Sequence, residues 1–160
     1  MLTACASTSA NDPSAAPSKP KDFCHAMEAA VLLAPAAAEA LNTLYTTMDS
    51  MAAGPAEGDI DTLHTVGAAT TSSSETYAAA LGTAADLAPD TLKADISALQ
   101  EYWTLYAVGL GQIAESAPTY GNLVDQATAL STSSKAIALV ADQPATQQRI
   151  NDGYLAECTS

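Results

Sequence analysis

Residues 90–115 read DTLKADISALQEYWTLYAVGLGQIAE, and this stretch carries the clearest helical pattern in the chain. Its large apolar side chains recur every three or four residues, which places them on one face of an α-helix. Asp90 lies in the first turn, where the positive end of the helix dipole favours a carboxylate. We therefore predict an amphipathic helix whose inner face consists of Leu92, Ile96, Leu99, Trp103, Tyr106, Leu110 and Ile113.

The same spacing continues on both sides of this stretch. It predicts helices over 22–53, 59–87 and 119–141, followed by a short fifth helix that Asp142 caps and Pro144 opens. Pro35 lies inside the first of these helices and predicts a kink or a break near Leu33. Residues expected to face inward include Met27, Val31, Leu41, Leu44, Leu63, Tyr77, Leu81, Leu123, Val124, Ile137, Val140 and Ile150.

A run of five hydroxyl residues, 70–74, occupies the middle of the second predicted helix. Such residues are poor helix formers because their side chains compete for backbone hydrogen bonds. The run therefore predicts either an irregular segment or a close approach to a neighbouring helix through small side chains.

Short connections that contain proline and glycine separate the predicted helices, which indicates antiparallel neighbours. We expect an all-α fold, an antiparallel up-down four-helix bundle with a short extra C-terminal helix. The 160 residues suit a single domain, which we place at 22–160. Apolar residues make up 48% of the chain and aromatic residues 5%, so much of the core is expected to be alanine.

The charge is one-sided, with 18 acidic residues against 5 basic residues and a net charge of −13. Phosphate recognition needs clustered lysine and arginine, so nucleic acid is excluded as an expected partner. Anionic lipid headgroups are unsuitable direct partners for the same reason.

The chain begins Met1-Leu2-Thr3-Ala4-Cys5, and a stretch rich in Ser, Ala and Pro follows to Lys21. This stretch has no apolar periodicity, so we predict a flexible tether. No run of about 20 consecutive apolar residues is present, so we expect no membrane-spanning helix.

With its Leu-Thr-Ala-Cys box, the chain resembles the small uncharacterised lipoproteins and secreted helical-bundle proteins of actinobacteria. The resemblance also rests on the Ser/Pro leader, on 87–95 (LAPDTLKAD) and on the closing YLAEC of 154–158. It implies that a signal peptidase cuts before Cys5 and that this cysteine becomes lipidated. Residues 1–4 are then a remnant of a signal peptide and 5–21 are the lipidated cysteine with its tether. The implied location is the extracellular side of the cytoplasmic membrane.

Two further cysteines, Cys24 and Cys158, flank the predicted bundle. In an oxidising compartment they would pair and connect the first helix to the last. The alternative is a pair of free, buried thiols in a cytosolic protein. No CxxC motif is present, so a catalytic redox pair is not expected.

The sequence contains no GxSxG, P-loop, HExxH or EF-hand motif, and we therefore expect neither an enzyme nor a bound cofactor. A soft-metal site for copper could use His25, Met27, Met48 and Met51, because imidazole and thioether ligands suit that metal. The other interpretation of the methionines is ordinary core packing.

Tyr102, Trp103 and Tyr106 form an aromatic cluster in the third predicted helix. Tyr102 and Tyr106 are expected to share one face, with Trp103 on an adjacent face. These rings could line a ligand pocket, or they could fill the centre of a core made mostly of alanine.

Together these features predict a non-enzymatic, lipid-anchored interaction or binding module of the cell envelope. Its expected partners are the membrane, through the lipid, and either another envelope protein or a small ligand held between helices. The alternative function is that of a soft-metal, copper-binding protein.

Overall fold

The computed structural model describes residues 19–54 and 59–159. Within these ranges all regular structure is helical, so the predicted all-α fold is confirmed. Helix α1 spans Lys19–Ala52, and helix α2 spans Asp59–Leu87. The hydroxyl-rich middle of α2 is helical throughout, so the alternative of an irregular segment there is wrong.

Three more helices follow. Helix α3 runs through three continuous segments, which are α-helical Asp90–Tyr102, π-helical Trp103–Val108 and α-helical Gly109–Ser116. Helix α4 spans Tyr120–Ser131, and helix α5 spans Ser134–Cys158. The bundle therefore has four long helices and one short one, but the short helix is the fourth rather than the last.

The boundary between α4 and α5 differs from the predicted one because serine, not proline, begins the last helix. Ser133 is the N-cap of α5, and its hydroxyl accepts a hydrogen bond from the backbone N–H of Ala136. Pro144 then lies well inside α5, and Pro35 likewise lies inside a continuous α1. An interior proline costs a helix about 3 kcal/mol, which packing along the rest of each helix has to offset.

Helices α2 and α3 run antiparallel and lie very close together. Gly67 lies beside the Gly111 end of α3, whereas Tyr77, further along α2, contacts Trp103, which comes earlier in α3. An ideal Cβ on Gly67 would lie 2.5 Å from the backbone nitrogen of Glu115. Within the hydroxyl run itself, an ideal Cβ on Gly111 of α3 would lie 2.6 Å from the Oγ1 atom of Thr71, which confirms the second alternative for this run, close packing through small side chains.

Helices α3 and α5 also run antiparallel, and ion pairs join them. Arg149 pairs with Asp95, and Lys135, earlier in α5, pairs with Glu101, later in α3. Arg149 also donates through Nη2 to the Oγ1 of Thr146, a buried residue, at 2.9 Å. Exposed pairs contribute little stability, so their main effect is to align the two helices.

The core contains the larger residues that the pattern placed inward on α1, α2 and α3, including Leu44, Leu63 and Ile96. Four expected inward residues are instead exposed, namely Val31, Val124, Ile137 and Val140. The preceding residue takes the inner position in three of these cases, as Ala30 does for Val31 and Ala136 for Ile137. A buried alanine lets two helix backbones approach closely, which turns the adjacent larger side chain outward.

By length and composition, one helix in the described ranges, Asp22–Ala52 of α1, could cross a membrane. This differs from the expectation that no such stretch exists, because its many alanines raise the mean hydropathy without forming a run of large apolar residues. Phe23 and Leu44 of this helix are fully buried in the bundle, whereas Val31 and Leu32 are exposed. Helix α1 is thus an integral part of the core that also carries an exposed apolar strip.

Ser74 in α2 is fully buried, and its hydroxyl has no hydrogen-bond partner among the described residues. An unpaired buried hydroxyl costs about 1–3 kcal/mol, so Ser74→Ala is expected to raise the free energy of unfolding by about 1 kcal/mol. Thr70 is a matched control, because its buried hydroxyl donates to the carbonyl oxygens of Ala40 and Val66. Thr70→Val should therefore destabilise the protein. Urea unfolding should show a higher free energy of unfolding than the parent for Ser74→Ala and a lower one for Thr70→Val.

Candidate functional site

The π-helical segment of α3 carries the main cluster of aromatic side chains. A π-helix places an extra residue in each turn, and such segments occur frequently at functional sites. Tyr102 and Tyr106 stack with their ring centroids 5.7 Å apart and their planes at 21°. Trp103 meets Tyr102 edge to face at 5.8 Å. The predicted arrangement, with the two tyrosines on one face and Trp103 beside them, is confirmed.

Two more tyrosines extend this cluster from other helices. Tyr77 of α2 packs against Trp103, with ring centroids 5.0 Å apart. The Tyr45 hydroxyl of α1 donates to the Tyr106 hydroxyl oxygen at 2.9 Å. We call these five rings the aromatic row, in the order Tyr77, Trp103, Tyr102, Tyr106, Tyr45.

The aromatic row leads from the core to the surface. Tyr77 and Trp103 are buried, Tyr102 and Tyr106 are half-buried, and Tyr45 is 37% exposed. The row therefore both fills the core, as one prediction proposed, and presents phenol groups to the solvent. The grooves beside the π-helical segment are lined by other residues, among them Gln100 and Thr104.

The surroundings of the row keep its phenols neutral. Burial raises the pKa of Tyr45 above its usual value, and the hydrogen bond to Tyr106 and the proximity of Tyr106 and Tyr102 raise it further. Burial likewise raises the pKa of Tyr77, and for Tyr102 the nearby Tyr106 adds to the effect of burial. The folded protein thus resists forming phenolate in this cluster.

This resistance predicts that the protein loses stability at high pH. A phenol whose pKa is raised by folding stabilises the fold below the unfolded pKa of about 10, and this contribution is lost as the pH rises above it. The urea midpoint should therefore fall as the pH rises through about 10. Tyr45→Phe removes one of the three phenols with a raised pKa, so the urea midpoint of this variant should fall less steeply with pH. An equally steep fall of the midpoint would contradict this account.

A second candidate site is a cleft of about 270 Å³ between α3 and α5. Its lining is mostly apolar, with Leu99 and Leu139 among it, and the Asp142 carboxylate and Thr146 hydroxyl contribute polar groups. Thr146 donates to Asp142 at 2.9 Å, and Arg149 lies 3.3 Å from the same carboxylate oxygen. Sequence spacing did not reveal this cleft, because its residues belong to helices that are distant in the chain.

The proposed soft-metal ligands lie at opposite ends of α1. His25 is exposed and Met27 is buried near one end, while Met48 and Met51 lie near the other end. A continuous helix separates Met27 from Met48 by about 30 Å, so the structure does not bring the four side chains together. No cluster of three or more His, Cys, Asp or Glu side chains suitable for a metal occurs in the part of the chain that the structure describes.

The remaining histidine, His64, joins two helices rather than facing a cleft. Its Nε2 atom lies 2.9 Å from the carbonyl oxygen of Ala117, the C-cap residue of α3. Because a carbonyl oxygen accepts, Nε2 is the protonated nitrogen in this contact. His64 therefore ties the beginning of α2 to the end of α3.

The structure describes two of the three cysteines, and these two are bonded to each other. Cys5, the predicted lipidation site, lies outside the described residues, as do the signal remnant and most of the tether. Cys24 and Cys158 form a disulfide with their Cα atoms 5.6 Å apart, within the usual range for such a bond. This bond joins the beginning of α1 to the end of α5, as the pairing alternative predicted.

The arrangement as a whole offers aromatic surface, hydroxyl groups and inter-helix grooves. Comparisons with protein-family models, with curated proteins and with solved structures find no match to this chain.

Proposed function

We propose that this chain is a non-enzymatic binding domain that works on the extracellular side of the cytoplasmic membrane, where lipid on Cys5 anchors it. The Cys24–Cys158 disulfide is the observation that carries the proposal. Disulfides form and persist in oxidising compartments and are rare in the cytosol of mesophiles, where thiols are kept reduced. The bond therefore favours an exported protein over a cytosolic one with two free thiols.

The composition of the chain supports the same location. A strongly acidic domain does not adhere to anionic headgroups, so it needs another means of staying at a membrane. The cysteine of the Leu-Thr-Ala-Cys box supplies one, since each buried methylene of an acyl chain contributes about 0.8 kcal/mol of membrane affinity. Residues 6–18, ahead of the first residue of α1, then provide the spacer between the lipid and the bundle.

The grooves between helices support a binding role. The cleft between α3 and α5 combines apolar walls with a carboxylate and a hydroxyl, a combination that suits a small ligand with one polar group. Exposed Ile137 and Val140 lie one turn apart on α5 and offer apolar surface to a protein partner. The domain thus binds either an envelope protein or a small molecule.

The proposal is tested on the protein as its native host makes it. Metabolic labelling with an alkyne fatty acid should tag the chain, and Cys5→Ser should lose the label and release the protein from the membrane fraction. Alkylation with a maleimide before and after reduction should show that Cys24 and Cys158 react only after reduction. Unlabelled protein whose two thiols react without reduction would overturn the proposal.

A further inference from the structure

The outer end of the aromatic row places two phenols from different helices in direct contact. Tyr45 and Tyr106 are 61 positions apart in the chain, and their hydroxyl oxygens are 2.9 Å apart. In a phenol the ring carbons next to the hydroxyl-bearing carbon are those that couple after one-electron oxidation. Each of these carbons is two bonds from the hydroxyl oxygen of its ring, so the contact between the hydroxyl groups holds the two edges that couple within a short rotation of each other.

The pair is also accessible. Tyr45 is 37% exposed and Tyr106 is half-buried, so a soluble oxidant can reach the outer ring. The hydrogen bond gives the Tyr45 proton an acceptor, and the Tyr106 hydroxyl, itself only half-buried, can pass its own proton to water.

The rest of the row connects this pair electronically to the core. Tyr106 stacks on Tyr102, Tyr102 contacts Trp103, and successive ring centroids are less than 6 Å apart. Aromatic rings in contact exchange electrons readily, so a radical formed at Trp103 or Tyr102 can migrate outward. The outer pair is where two phenoxyl radicals can meet and combine.

We propose that Tyr45 and Tyr106 are an oxidative cross-linking site, at which a peroxidase-class one-electron oxidant joins α1 to α3 through a carbon–carbon bond. Each phenol loses one electron and one proton, and the two radicals couple at ring carbons adjacent to the oxygen-bearing ones. The ring hydrogens at the new bond then move to the oxygens, which restores both phenols. Hydrogen peroxide takes up the two electrons and two protons and leaves as two waters.

The bond would complement the disulfide. The disulfide joins α1 to α5 near the beginning of α1, whereas the tyrosine cross-link would join α1 to α3 in the last third of α1. Formation of the cross-link requires neither a bound ligand nor lipid at Cys5.

The test treats the purified full chain, at a concentration low enough to disfavour contact between molecules, with a haem peroxidase and hydrogen peroxide. The expected product is a monomer lighter by two hydrogen atoms that shows dityrosine fluorescence. Mass spectrometry of its peptides should join the peptide of Tyr45 to that of Tyr106.

Two variants and one denatured sample are the controls. Tyr45→Phe keeps the ring but lacks the hydroxyl, and it should lose the cross-linked monomer while its helical circular dichroism is unchanged. Tyr154→Phe removes a tyrosine outside the row and should retain the product. A product that joins other tyrosines, an equal yield from Tyr45→Phe or from urea-unfolded protein, or no cross-link at all would each overturn the proposal.

Discussion

Replacing Gly67 by alanine is expected to lower the free energy of unfolding by about 3 kcal/mol, at the upper end of the usual cost of overpacking. The new methyl group would lie 2.5 Å from the backbone nitrogen of Glu115 and 2.8 Å from the carbonyl oxygen of Gly111. Both atoms belong to the backbone of α3, so no side chain can rotate away. Helices α2 and α3 therefore have to move apart, and this separation also breaks neighbouring contacts in the core.

Gly109→Ala is the matched control for this substitution. Gly109 also lies in α3 with helical dihedral angles, but its added Cβ would meet only the Leu130 side chain, at 3.4 Å. Alanine is favoured over glycine in helices by about 1 kcal/mol, so this variant should be slightly more stable than the parent. Urea unfolding followed by circular dichroism measures both effects, and equal stabilities for the two variants would refute the close approach.

Removing the disulfide is expected to cause the largest loss of stability. Its cysteines are 134 positions apart, and a loop of that length corresponds to about 5 kcal/mol on the chain-entropy model. Many domains have a total stability of about 5–15 kcal/mol, so this is a large fraction. The double variant Cys24→Ala/Cys158→Ala should therefore have a much lower urea midpoint than the parent.

Reduction of the parent protein provides the comparison for this variant. Parent protein in excess dithiothreitol should unfold at nearly the same urea concentration as the double variant, because both lack the same cross-link. Dithiothreitol should leave the urea midpoint of the double variant unchanged. Unfolding of the untreated parent at the same urea concentration as the variant would show that the bond contributes nothing.

The sequence predicted the helices best where large side chains repeat. Leu92, Ile96 and Leu99 appear on one face in the sequence and are all buried in the structure. It failed where alanine competes with a larger neighbour for the inner position, as Ala136 does with Ile137. Apolar spacing identifies an apolar face but does not decide which of two adjacent residues lies at its centre. The packing between helices determines which of the two residues is buried.

The candidate site was predictable only in part, because it is built from three helices. Tyr102, Trp103 and Tyr106 lie close together in the chain, and helical spacing placed them correctly. Tyr45 and Tyr77 join them only through the tertiary fold, so nothing in their local sequence revealed the contact. The π-helical segment gave no recognisable pattern either, because its residues are ordinary for a helix.

The position of the disulfide determines the pole of the bundle at which a surface attachment enters. Because Cys24 and Cys158 are bonded, anything joined ahead of α1 and anything joined after α5 leave from the same pole of the bundle. Helix α1 is 34 residues long, so the opposite pole lies about 50 Å away. There Tyr120 donates to the Met48 carbonyl, and that pole would be the first part of a tethered molecule to meet an arriving partner.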